Sequence, residues 1–229
     1  LSANTETGFS IVNYSGVDTP STNTIAHGLS KAPELYIIKN MTSTSPLGWI
    51  ANTTVIDGTV DYLVLNTGAI AASQGSPWST LPSASVFTLG ANDGNTCNDG
   101  DDYVAYCFHS VEGYSQVGAY IGNGNTDGAF MYTGFRPAFI LGKNTTEIDY
   151  SWWLVDTIRS PYNNVQKILS PQYNNAESDV SYEVVDIVSN GFKFRVPGTD
   201  GNLDTYNGNA DGYLYIAFAE SPFKYSNAR

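Results

Sequence analysis

The chain has 229 residues, 41% of them apolar and only 14% charged, which excludes the composition of a disordered chain and leaves room for one or two domains with real cores. Its net charge of -12, from 22 acidic and 10 basic residues, would repel phosphate backbones and anionic lipid, so nucleic acid is not an expected partner. No stretch approaches the roughly 20 apolar residues that span a bilayer, so membrane insertion is not expected either. With 22 Gly and 16 Tyr, and with abundant Asn, Ser and Thr, the composition favours short twisted strands joined by turns over helices.

The opening, Leu1 to Gly8, has neither a basic nor an apolar leader region, so no secretory signal is expected in it. Then come Tyr14-Ser15-Gly16, a polar loop, His27-Gly28-Leu29, and the run Ala32-Pro33-Glu34-Leu35-Tyr36-Ile37-Ile38-Lys39-Asn40. Leu35 to Ile38, Tyr62 to Leu65 and Tyr103 to Phe108 are apolar on both faces, which predicts central strands or strands covered by a neighbouring subunit. Trp49-Ile50 and Ser85-Val86-Phe87-Thr88-Leu89 lie between them, and an acidic loop from Asp93 to Asp102 precedes the last. Cys97 in that loop and Cys107 in the strand are too few for a disulfide framework; they read as two free thiols, with one bridge as the alternative.

The same order then returns. Tyr120-Ile121-Gly122, Thr133-Gly134-Phe135 and Arg136-Pro137-Ala138-Phe139-Ile140-Leu141-Gly142-Lys143-Asn144 repeat the first run, offset by 106 at Gly28 and Gly134 and by 104 at Pro33 and Pro137. Trp153-Leu154 stands for Trp49-Ile50, Asn190-Gly191-Phe192-Lys193-Phe194 for Ser85 to Leu89, the loop Asp200 to Asp204 for the first acidic loop, and Tyr213 to Phe218 for the closing strand. Phe192, Phe194 and Val196 alternate with Lys193 and Arg195, the signature of a half-buried strand. These patterns predict an all-β protein of two tandem, internally duplicated β-sandwich-like domains, residues 1–116 and 117–229.

Catalytic chemistry has no visible anchor. His27 and His109 belong to no metal motif or nucleophile elbow, so no catalytic residue is assigned, no enzyme is expected, and no cofactor is needed. Paired carboxylates hydrolysing a glycan are the remaining enzymatic alternative. Asp200, Asn202 and Asp204 have the spacing that opens a calcium loop, but Thr205 and Asp211 stand where such a loop needs Gly and Glu, so a solvated turn is preferred and calcium is the alternative. Exposed aromatics serve partner or glycan contact, and Trp152, Trp78 and Tyr132 are the candidates. Neighbours on a strand face opposite ways, so Trp153, matched with Trp49, is assigned to the core and Trp152 to the contact.

The strings Tyr132-Thr133-Gly134-Phe135-Arg136-Pro137-Ala138-Phe139 and Ser85-Val86-Phe87-Thr88-Leu89-Gly90, with the ending Ala217 to Arg229, resemble a domain common in virion proteins of marine and environmental tailed phages. The resemblance covers about Gly8 to Arg229. It implies a non-enzymatic structural protein of the virion exterior, as fibre, appendage or head decoration, assembled in the host cytoplasm. Its implied partners are copies of itself, as a homotrimer, and other virion proteins. A module that recognises a host surface glycan or protein is the alternative.

Overall fold

The computed structural model describes residues 1–17, 22–73, 80–90, 93–180, 184–196 and 203–222. The chain is nearly all β and divides into two compact units, Leu1–Thr67 with Ala71–Ser110, and Gly68–Ile70 with Val111–Arg229. The division falls a few residues before the expected 116–117 because Val111 bridges to Ser115 and so belongs to the hairpin that opens the second unit.

The first unit contains β1 (Ser2–Asn4), β2 (Phe9–Ser15), β3 (Thr22–Ala26), β4 (Leu35–Asn40), β5 (Trp49–Thr53), β6 (Asp61–Val64), β7 (Ala72–Ser73), β8 (Val86–Gly90) and β9 (Asp102–Phe108). Its main sheet runs β1-β2-β9-β4-β5-β6-β7, and β3 pairs with β8 in a second, small sheet. Val12, Tyr36, Ile38, Tyr103, Ala105 and Cys107 form one core cluster with Leu29, Phe87, Leu89 and Cys97. Two layers thus share one apolar interior, the sandwich-like arrangement that alternating strands favour.

The second unit contains β10 (Ser115–Ile121), β11 (Phe130–Tyr132), β12 (Pro137–Asn144), β13 (Trp153–Asp156), β14 (Lys167–Ile168), β15 (Ser178–Asp179), β16 (Val185–Val188), β17 (Gly191–Phe194), the single-turn helix α1 (Leu203–Tyr206) and β18 (Gly212–Ala219). Its main sheet runs β10-β18-β12-β13 and its second sheet β11-β17-β16. Phe192, Phe194 and Val196 are each fully buried, as their alternation with Lys193 and Arg195 predicts. They share a cluster with Ile140, Trp153, Val155, Tyr215 and Ala217. Each such side chain contributes about 1.5–3 kcal/mol by leaving water.

Internally, the two units carry one hydrogen-bonded node. In the first, the Asn40 side-chain amide donates to Asp101 Oδ2 (2.9 Å), the Gly94 carbonyl (2.9 Å) and the Tyr103 hydroxyl (3.1 Å), while its Oδ1 accepts from the amides of Thr42 and Ser43. In the second, Asn144 donates to Asp211 Oδ2 (3.0 Å), the Asp204 carbonyl (2.8 Å) and the Tyr213 hydroxyl (3.3 Å), and accepts from Thr146 and Glu147. Tyr14 stacks on Tyr103 and donates to the Thr96 carbonyl; Tyr120 stacks on Tyr213 and donates to the Tyr206 carbonyl. Gly16 and Gly122 cannot be otherwise, since a Cβ would lie 2.0 Å from the Asn98 carbonyl oxygen or 2.1 Å from that of Gly208.

This node corrects the register read from sequence. Asp211 takes the place of Asp101 and Asp204 that of Gly94, so Asp204 matches the start of the first acidic loop and not its end. The first acidic loop is also not simply a solvated turn: Thr96 and Cys97 within it are buried.

Side-chain volume is exchanged between equivalent strand pairs. Ile38 faces Ile50 across β4 and β5, whereas Gly142 faces Trp153 across β12 and β13, and the indole fills the space a Cβ on Gly142 would take, 2.2 Å from Trp153 Cζ2. Val12 faces Ala105, whereas Gly118 faces Tyr215, whose ring would stand 2.7 Å from a Cβ on Gly118. Close packing at constant volume is what a core demands.

Candidate functional site

Strand β11 stands at the edge of its sheet and reads Phe130-Met131-Tyr132. The period of two sends Met131 inward, to 4% exposure, and turns Phe130 (47%) and Tyr132 (64%) to solvent on one face. Phe130 lies over Gly191, and a Cβ there would come within 3.0 Å of Phe130 Cε2. Beside them Lys193 and Arg195 both bind Asp127, at 2.7 and 2.8 Å, and Arg195 Nε reaches Asp186 Oδ2 at 2.7 Å. Hydrogen bonding from Lys193, then its charge, holds the Asp127 carboxyl below the usual carboxylate range.

After β11 the chain turns at Thr133, whose hydroxyl donates to the Phe135 carbonyl (2.6 Å), and at Gly134, whose φ of +78° suits glycine. Arg136 then pairs with Glu220 (2.8 Å) and donates to the Ile187 carbonyl (2.9 Å). Tyr132, Gly134, Arg136, Glu220, Ser189 and Ser221 contribute to the lining of a cleft of about 570 Å³. An exposed phenol, a fixed ion pair and hydroxyls around an open concavity suit recognition of a partner by stacking and hydrogen bonding.

The other sequence candidates lie elsewhere. Trp152, expected to meet solvent or a partner, is buried at 2% exposure and Trp153 at 1%. The alternation rule fails because β13 begins at Trp153, and the register Lys39↔Trp49 and Gly142↔Trp153 makes Trp152, not Trp153, the counterpart of Trp49. Trp78, Asp200 and Asn202 lie outside the described residues. Asp204 accepts a hydrogen bond from the Tyr150 hydroxyl (3.2 Å), and among the described residues no three His, Cys, Asp or Glu side chains gather to hold a metal ion.

The histidines are both buried. The Leu29 amide donates to His27 Nδ1 (3.1 Å), which leaves Nε2 to donate to the Ser83 carbonyl (3.1 Å), and burial lowers the pKa of this ring. His109 Nδ1 lies 3.0 Å from the Ser110 carbonyl oxygen. Cys97 and Cys107 are free and buried, and desolvation pushes the Cys107 thiol up to about 12.

Sequence reasoning found Tyr132 but missed Phe130, Arg136 and Glu220. The signal was available in the matched strings: the positions that correspond to Phe130 and Tyr132 in the first unit are Thr24 and Ala26, so the aromatic pair appears in the second unit alone. No curated protein and no solved structure matches the chain. The family model described as "Domain of unknown function (DUF7483)" matches residues 1–222, which include both the shared node and the aromatic edge, and the chain belongs to that family.

Proposed function

We propose that the protein is a non-enzymatic structural component that acts by self-assembly, as a homotrimer on the exterior of a tailed-phage virion, and that its two units are diverged copies of one. The observation that carries the assembly reading is the outward Phe130 and Tyr132 pair on an edge strand, absent from the matching β3. An edge strand with an apolar outer face is a template for another chain. The shared node supports the duplication, and the resemblance to tailed-phage virion domains supports the location. Sedimentation across the micromolar range tests the assembly: trimers are expected, and replacing Phe130 and Tyr132 together with Ser shifts them toward monomer. Monomers at every concentration would refute it.

A second reading, binding of a host surface glycan, is favoured by the setting of Tyr132 beside Arg136, Glu220 and Ser221, where a sugar ring would stack and its hydroxyls find charged partners. Titration with host polysaccharide decides it, since this reading expects saturable binding that Tyr132→Ala abolishes.

A further inference from the structure

The turns His27-Gly28-Leu29 and Thr133-Gly134-Phe135 have one shape, with glycine at φ +70° and +78°. Their surroundings agree too: the His27 amide donates to the Ser85 carbonyl just before β8, and the Thr133 amide to the Asn190 carbonyl just before β17. Each turn is tied by the side chain of its first residue. In the second unit the tie is a hydroxyl, since Thr133 Oγ donates to the Phe135 carbonyl at 2.6 Å and accepts from the Phe135 amide at 3.4 Å. In the first unit it is an imidazole, since His27 Nδ1 accepts from the Leu29 amide at 3.1 Å. A hydroxyl accepts at any ordinary pH, whereas a ring nitrogen accepts only while it is unprotonated.

Both nitrogens of the His27 ring are committed. Nε2 donates to the Ser83 carbonyl at 3.1 Å, which leaves Nδ1 without a proton. The residue is fully buried, and the Leu29 that it holds belongs to the core cluster with Tyr36 and Phe87. A second proton on the ring would bury a charge and set an N–H against the Leu29 N–H. Little around it offsets that charge. His109, at the end of β9, would repel it when charged itself. Glu34, ahead of β4, has its carboxylate taken up by the Ser110 amide (2.6 Å) and hydroxyl (2.5 Å). Ser83 to Gly90, which include β8, contain no ionisable side chain. Lys31, Glu6 and the amino group of Leu1, on the neighbouring turns and strand, belong to exposed residues.

We infer that His27 is an acid-operated catch on the first unit: neutral, it holds Leu29 in the core, and protonated, it lets the turn open and Leu29 reach solvent, while the matching turn of the second unit stays closed. This is independent of the self-assembly reading. The open turn takes up a proton with the ordinary affinity of an imidazole, near pH 6.5, and the closed turn binds it more weakly. The advantage of the closed turn is therefore full above about pH 6.5 and falls about tenfold for each unit of pH below it, until the buried ring itself titrates.

Hydrogen exchange of the Leu29 amide in the full chain, read by NMR at about pH 7.5 and about pH 5.5 and expressed as protection against the intrinsic rate at each pH, tests the catch, with the Phe135 amide as internal reference. Protection at Leu29 is expected to fall several-fold, to a limit of about tenfold, and at Phe135 to stay within about twofold. In His27→Thr, which borrows the hydroxyl of the second unit, the fall at Leu29 should vanish. Unchanged protection at Leu29, equal falls at both amides, or a fall that persists in His27→Thr would overturn the catch. Should that variant not fold, the parent decides: its His27 ring-proton resonance is expected to titrate below about pH 6.5, and a midpoint at or above that value would overturn the inference as well.

Discussion

Replacing Asn144 with Asp is a nearly isosteric change that reverses one half of the node. Oδ1 still accepts from Thr146 and Glu147, but the amide that donated to Asp211 Oδ2 at 3.0 Å becomes a carboxylate oxygen facing another carboxylate. Two unit charges at that distance repel by about 5 kcal/mol at an effective dielectric near 20. The protein has a cheaper escape, which is to protonate the new group. Holding a carboxyl of ordinary pKa near 3.9 protonated at pH 7 costs about 4 kcal/mol, and that sets the ceiling on the loss. The folded-state pKa of the new Asp is raised above its unfolded value, so the folded state binds the extra proton and the loss shrinks by about 1.4 kcal/mol for each unit that the pH falls. Urea unfolding of parent and variant, followed by tryptophan fluorescence, is to be compared at pH 7 and pH 5. The expected differences are about 4 and about 1.5 kcal/mol. Asn144→Ala is the control: it leaves Asp211 Oδ2, the Asp204 carbonyl and two amides short of a partner, at a cost of about 3 kcal/mol that does not vary with pH in this way. A variant Asn144→Asp that loses under 1 kcal/mol, or the same amount at both pH values, would refute the role assigned to the node.

Gly142→Ile should destabilise the second unit by about 3 kcal/mol through overlap with the Trp153 indole, and adding Trp153→Ile should recover most of that, as a urea double-mutant cycle would report. Lys143 is fully buried, its ammonium donating to the Asn144 carbonyl at 2.8 Å, and desolvation brings its pKa down from 10.5 to about 8. The unfolded chain therefore holds the extra proton between pH 8 and about 10.4, so this group lowers stability by about 3 kcal/mol below pH 8 and the penalty fades as pH rises through that window. Lys143→Met should consequently be more stable than the parent at pH 7 and lose that advantage by pH 10.5 in chemical unfolding. Cys107 runs the other way: with its pKa raised to about 12, it adds stability that is full below about pH 8.5 and is lost as pH rises toward 12. Its thiol should react with an aromatic disulfide reagent only after denaturant is added.

The all-β class was legible because Gly, Asn and Tyr abundance and two-residue alternation are local properties, and the five consecutive letters Phe192 to Val196, which begin in β17, carried both faces. The recurring Asn, Gly and Tyr positions were legible too, since a node that ties three stretches by side chain and backbone fixes residue identity at each contact. What escaped was register in loops. The first acidic loop was aligned by its Asp content, but the residue at the Asp204 position is Gly94, which supplies a main-chain carbonyl and so needs no particular side chain. The tryptophans were misassigned for a related reason. Trp153 and Ile50 are equivalents that share no letter, because Gly142 and Ile38 compensate for them across the strand pair, and the letter that Trp49 and Trp153 share attracted the alignment. In the candidate site, Arg136 and Glu220 lie far apart in sequence and meet only through the pairing of β12 with β18.

Among the described residues, the last strand of each unit's main sheet to be made is also an inner one: β9 lies between β2 and β4, and β18 between β10 and β12. During synthesis, then, the first strands of a unit emerge with nothing to bridge them, and Phe9 waits for Phe108, as Ser115 waits for Phe218, before the sheet can close. Such long-range pairing makes folding slow and leaves apolar strands uncovered on the nascent chain. A ribosome stalled before Gly212 would therefore hold a finished first unit and an open second one. Shortening the chain at that end should remove half of the protein at once and not a strand at a time.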